Sequence, residues 1–292
     1  MLRNVCGQWY FGKRSSSTWQ MSVLDLGNGH KETTISRPIE WEDVALTATD
    51  LAELARDKTA EELAERREAN RRRAAQRAKT RVRRLVKVMG LDALLTLTYR
   101  DNQCDLALMK RHFEAFTRRM RRLVPGFRYV AAFERQKRGA WHAHLAIHRL
   151  PRELPSRTGV RVKSYNIVRA VWRDVVGDLG GNIDQQRRKR GSRQSAGKLA
   201  AYLSKYMVKA FAEGDDWSNR YSASSADVPE PVRLRFVAES LADLVGLAFT
   251  EVAAGDEVGT MWLSRFGDVF YLSSEGGRCL HSAVAGLGVG AR

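Results

Sequence analysis

Residues 133–150 read FERQKRGAWHAHLAIHRL, and the run leading into them, 127–135, reads FRYVAAFER. From Trp141 onward the apolar and polar positions alternate with a period of two, so His142, His144, Ala146 and His148 share one face of a strand. Lys137, Arg138 and Gly139 supply a hairpin turn back to the preceding strand. That hairpin sets Glu134 across from His142 and His144. Two imidazoles and a carboxylate leave coordination positions open, as a catalytic divalent ion requires. The same pattern also suits two polar residues on a half-exposed strand, because imidazole has many structural uses. His148 lies too far along the strand to share an ion and reads as structural.

Working outward, residues 93–100 alternate as a strand. Residues 105–124 are amphipathic and end in Arg118, Arg119, Arg121 and Arg122, before Pro125-Gly126 breaks the run. Basic residues in a last turn are favoured by the helix dipole alone. Residues 165–176 read as a helix and 182–186 as a short strand. With a further helix at 195–213, the order is strand, helix, strand, strand, helix, strand, helix. This order predicts an α+β domain, an antiparallel sheet flanked by helices.

The last of those helices, SAGKLAAYLSKYMVKAFAE, carries an apolar sector of Leu199, Leu203, Met207, Phe211 and four alanines. The adjoining sector holds Tyr202 and Tyr206, about 40° apart by the 100° helical step, with Lys198, Lys205 and Lys209. Two phenols four residues apart can present their hydroxyls to one spot. A phenol with a pKa near 10 is a weak nucleophile and needs a cation beside it or a polarised electrophile. An amphipathic surface helix with aromatic residues at the core edge fits this pattern as well.

The charge of the chain points to a polyanion. The formal net charge is +17 over 292 residues. Residues 66–87 hold eleven Lys/Arg and one acid, among them Arg71, Arg72, Arg73, Arg83 and Arg84. A helix so unbalanced repels itself without a counter-charge, so this stretch is expected to contact DNA phosphates. Arg187, Arg188, Lys189, Arg190 and Arg193 precede the tyrosine helix in a Gly/Ser-bearing loop, and with Lys198 they would guide a DNA backbone towards the phenols. The three cysteines show no metal spacing and suit a reducing compartment. No signal peptide is visible, and no uncharged apolar run reaches the ~18 residues of a membrane span, so a cytoplasmic protein with no membrane partner is expected.

Three short motifs, in this order, resemble those of the HUH endonucleases, in particular the rolling-circle replication initiators of phages and plasmids. LLTLTY at 94–99 resembles the first motif. His142-Ala143-His144 resembles the His-hydrophobic-His motif. YLSKYMVK at 202–209 resembles the tyrosine motif of the two-tyrosine, phage A-protein-like branch. The resemblance implies a ferredoxin-like sheet with the His pair on a central strand. It also implies Mg²⁺ or Mn²⁺ held by His142, His144 and Glu134, with Tyr202 or Tyr206 attacking a phosphodiester of single-stranded or supercoiled origin DNA. The products would be a 5′-phosphotyrosine and a free 3′-OH, followed by strand transfer and religation. Lys205 and Lys209 would assist a phenol or bind phosphate. A bacterial host cell, with its helicase and polymerase, would be the setting. A transposase or relaxase of the same superfamily, a non-catalytic nucleic-acid-binding protein and a structural zinc protein are the alternatives.

The expected organisation is a poorly ordered arm at 1–40, a basic helical extension at 41–88 and the endonuclease domain at 89–225. A small C-terminal region at 226–292 follows, mixed helical over 233–253, with a hairpin about Phe266-Gly267-Asp268 and a Gly-rich tail.

Overall fold

A computed structural model describes residues 1–156, 158–186, 196–212 and 221–276. The chain opens with strands β1 (Leu2–Val5), β2 (Gln8–Arg14), β3 (Thr18–Asp25), β4 (His30–Ser36) and β5 (Ile39–Asp43), then helices α1 (Ala48–Ala55) and α2 (Ala60–Val88). Next come β6 (Ala93–Tyr99), α3 (Leu106–Leu123), β7 (Tyr129–Arg135), β8 (Trp141–Ile147) and the short pair β9 (Glu153–Pro155) and β10 (Arg161–Lys163). They are followed by α4 (Ser164–Val176), β11 (Gly181–Gln186), α5 (Ala196–Ala212) and β12 (Tyr221–Ala223). The last described elements are β13 (Val232–Val237), α6 (Leu241–Leu247), β14 (Glu257–Leu263) and β15 (Val269–Glu275). They form two compact units, Glu68–Val228 and Met1–Arg67 with the described residues from Pro229 onward.

In the unit 68–228 the strand order is β11-β6-β8-β7-β12, and every neighbour is antiparallel. The α3 crossover makes β6 and β7 parallel, and β8 returns between them. Numbering only β6, β7, β8 and β11, the order is 4-1-3-2, the ferredoxin-like arrangement expected above. β8 is buried along its whole length. Its Trp141, Ala143, Leu145 and Ile147 pack with Phe113 and Phe116 of α3 and Val168 and Trp172 of α4. Ala146 lies on the opposite face with Val130 and Ala132 of β7, Val82, Leu85 and Val86 of α2, and Ala200 and Leu203 of α5. The apolar residues of α2 recur at helical spacing, which is why its second half can lie on the sheet. Gly90, at φ +62°, closes that helix as expected, with its N–H donating to Lys87 O.

Three expectations need correction. Residues 1–40 are not a poorly ordered arm. β3 and β4 are central strands of a second sheet, β13-β3-β4-β15-β14, in which Trp19, Met21, Val23 and Ile35 form a core with Leu244, Phe270 and Leu272. β1, β2 and β5 make a separate three-stranded sheet. Residues 41–88 are not one helical extension either. β5 runs to Asp43, Thr47 caps α1 through a reciprocal bond with Asp50, and the helical run breaks between Ala55 and Ala60. Finally, 232–237 is a strand rather than part of a mixed helical run, because it pairs with β3. The hairpin at 257–275 is present, with its turn at 264–268.

Candidate active site

The β7–β8 hairpin is closed by Gln136 N–H donating to Ala140 O at 2.9 Å and Gly139 N–H donating to Gln136 O at 2.8 Å. Gly139 adopts φ +95°, and a Cβ there would sit 3.1 Å from Cys104 Sγ, so the turn needs glycine. The turn sets the register: Glu134 pairs with His142, and Ala132 with His144. A slip of one residue would send both imidazoles to the α3 face.

His144 is held at both ring nitrogens. Its Nε2 lies 2.9 Å from Glu134 Oε2, and its Nδ1 lies 3.2 Å from Thr96 Oγ1. A carboxylate only accepts, so Nε2 carries the proton and, in the neutral ring, Nδ1 accepts from the Thr96 hydroxyl. His142 differs. It is buried, its ring centroid is 6.3 Å from that of His144, and its Nε2 has no hydrogen-bond partner. Burial, then the neighbouring His144 and Arg138, push its pKa down to about 4, against a weaker opposing pull from Glu134. At neutral pH it is therefore an uncharged imidazole with an unused ring nitrogen.

This donor set suits a divalent ion. Ligands at ~2.1 Å from one ion and at right angles lie about 3 Å from each other, close to the spacing of Glu134 Oε2 and His144 Nε2. His142 adds a neutral nitrogen with no competing partner. Among the described residues, however, no three His, Cys, Asp or Glu groups are gathered tightly enough to hold an ion as they stand. A side-chain rotation of His142 or Glu134 is needed to close the set.

Register extends the polar surface beyond the residues expected from sequence. Thr96 pairs with His144 on one side and with Asp184 of β11 on the other, and Thr98 pairs with Asn182. Thr96, Thr98, Asn182 and Asp184 therefore stand on the His face, with Asn182 and Asp184 exposed. The alternation of LTLTY held the threonine signal. Nothing local marked Asp184, because its neighbours on the sheet come from distant sequence.

α5 lies over the same face. Ala200 and Leu203 are buried among Ala132 and Ala146, which flank His144. Tyr202 is 39 % exposed, beside rather than within that core. Lys198 and Lys205 are exposed. The side chains of Tyr206 and Lys209 lie outside the described residues, as do Arg187, Arg188, Lys189, Arg190 and Arg193 altogether. On α2, Arg71 and Arg72 reach Glu68 at 3.9 and 2.9 Å. Arg73 is exposed, and Arg83 and Arg84 are half-buried. His148 is exposed beyond the end of β8.

Fold and site together define an antiparallel α+β unit whose central strand carries a buried His/Glu cluster beneath a helix bearing an exposed tyrosine. Residues 92–211, under half of the chain, match a family model described as a replication-associated protein of the ORF2 type. The matched stretch runs from just before β6 to the last turn of α5 and so contains both parts of the site. This similarity supports a replication initiator of the Rep type, a class that acts on DNA. No curated protein and no solved structure matches the chain. Among the described residues, no helix is long and apolar enough to cross a membrane.

Proposed function

We propose that the unit 68–228 is a rolling-circle nickase of the HUH, two-tyrosine type, acting on single-stranded origin DNA. The observation that carries this reading is the convergence of His142, His144 and Glu134 with the Tyr202 helix on one sheet face. His142, His144 and Glu134 would hold Mg²⁺ or Mn²⁺, which when bound supplies charge stabilisation to a phosphodiester in transition. The Tyr202 or Tyr206 hydroxyl attacks phosphorus and loses its proton to solvent. The bond to the 3′ oxygen breaks, leaving a 5′-phosphotyrosine and a 3′-OH that a host polymerase extends. Lys198 and Lys205 lie one turn before and one turn after Tyr202 and lower the cost of phenolate formation. Thr96 holds the His144 ring in the orientation that keeps Nε2 beside Glu134.

The test uses a pool of single-stranded oligonucleotides of randomised sequence, labelled at the 3′ end, with Mn²⁺. Label covalently attached to protein on a denaturing gel is expected, and it should disappear with EDTA or His142→Ala. Each single Tyr→Phe variant at 202 or 206 should retain some adduct. An adduct surviving in the double Tyr→Phe variant would remove α5 from the chemistry. Absence of any adduct, with DNA still bound, would leave a binding protein only.

A further inference from the structure

The outer side of α2 carries a groove that the proposed chemistry does not use. It has a volume of about 490 Å³ and is lined, among the described residues, by Gln76, Arg77, Thr80, Arg81, Arg84 and Val228. Three of the six are guanidinium groups and none is an acid. Arg77 and Arg81 stand exposed, and Arg84 is half-buried. The second wall is the segment that follows β12, where Arg81 Nη2 approaches Ala226 O at 3.5 Å. This side of the helix points away from the Ala75, Ala78, Val82, Leu85 and Val86 stripe that packs on the sheet.

Packing does not explain this arrangement, and the helix works against itself to keep it. In the first half of α2, Glu68 takes up Arg71 and Arg72. After Glu68 no acid occurs until Asp92. Arg77 and Arg81 are four apart and Arg81 and Arg84 three apart, spacings at which like charges cost a few tenths of a kcal/mol each. The helix dipole favours cations only in the last turn, which leaves Arg77 and Arg81 unaccounted for. At 1.5 Å per residue the three span about 10.5 Å of axis. A DNA strand sets a phosphate every ~3.4 Å of its own axis, so about three phosphates fit that length.

We infer that the α2 groove binds the phosphodiester backbone of DNA flanking the cleavage point, through Arg77, Arg81 and Arg84. The inference rests on the DNA-nicking reading above but concerns a surface outside the His face. A single strand and a duplex offer the same phosphate chemistry, and the salt dependence of binding tells them apart.

The test is fluorescence anisotropy of the full chain on a duplex and on a single-stranded oligonucleotide, titrated with salt. The Arg77→Gln/Arg81→Gln/Arg84→Gln variant is compared with a charge-matched control, Arg111→Gln/Arg118→Gln/Arg122→Gln, on α3 across the sheet. If a duplex occupies the groove, the log–log slope should become shallower by about 2.7 in the groove variant, and by about 2 if a single strand does. Over a fourfold rise in salt, a slope change of about 2.7 is roughly a 40-fold smaller loss of affinity. The control should keep the wild-type slope. Should the triple variant fail to fold, Arg77→Gln alone should lower the duplex slope by about 0.9. Equal slopes in groove variant and wild type, or equal reductions in groove variant and control, would overturn the groove and leave the nickase reading standing. Failure of the wild-type protein to bind any DNA would overturn both.

Discussion

Lowering the pH from 6.5 to 4 should destabilise the unit 68–228 through His142. In the unfolded chain this imidazole takes up a proton near 6.5, whereas in the folded protein burial, His144 and Arg138 hold its pKa down to about 4. The unfolded state therefore binds the proton first, and stability falls with pH across that window. Above 6.5 the ring is neutral in both states and the contribution is fully present; below about 4 the loss is complete. At about 1.36 kcal/mol per pH unit the gap amounts to roughly 3 kcal/mol, a large fraction of the 5–15 kcal/mol of a typical domain. The assay is urea unfolding in EDTA between pH 4 and 8, comparing wild type with His142→Gln, which has no proton to take up. The wild-type midpoint should fall more steeply below pH 6.5, and the difference should vanish above it. Adding Mn²⁺ at pH 7.5 should raise the wild-type midpoint and leave the variant nearly unmoved, since only the native state gathers the ligands. Parallel pH profiles for the two proteins would show that His142 is not held neutral by its surroundings.

Two further outcomes follow from particular contacts. Thr96→Val removes the hydroxyl from His144 Nδ1 and should weaken Mn²⁺ binding by about 10–100-fold, while Thr96→Ser restores it; equal calorimetric affinities in the two variants would deny Thr96 its positioning role. In the other unit, Lys31 Nζ lies 3.0 Å from Asp256 Oδ2, with both side chains 1 % exposed. Asp256→Ala should cost about 3–5 kcal/mol by leaving that ammonium buried, and Lys31→Met/Asp256→Leu should regain most of it in thermal melts.

The parts of the fold that sequence made legible are those whose signal is local. The period-two run at 141–147, the turn residues before it and the amphipathic stretches at 105–124 and 165–176 each name their own element and their own buried face. Their order then leaves few topologies open. β3 was not beyond reach, since Trp19, Met21 and Val23 alternate, but the surrounding Ser, Gly and charge suggested an exposed arm. β4 could not be read in this way. Its Lys31, Glu32 and Thr33 are buried, and the partner that makes Lys31 tolerable lies more than two hundred residues along the chain. The site divides similarly. His142, His144 and Glu134 are hairpin neighbours, whereas Asp184 reaches the same face only through β11 pairing with β6.

The order of synthesis meets this topology awkwardly. β4 pairs with β15, Ser36 opposite Val269, and every strand pair of the unit 68–228 lies between those two residues. At ~5–20 residues per second, a ribosome needs roughly 10–50 s to make the intervening chain. During that interval the β3–β4 ribbon has neither of its outer neighbours, while the unit that follows it already holds all the strands it needs to close its own core. The first sheet to be started is thus the last to be finished, with open backbone edges exposed for that whole time. A nascent chain stalled before residue 232 would carry a folded His/Glu unit behind an unsealed ribbon, the kind of intermediate on which a chaperone or a protease acts.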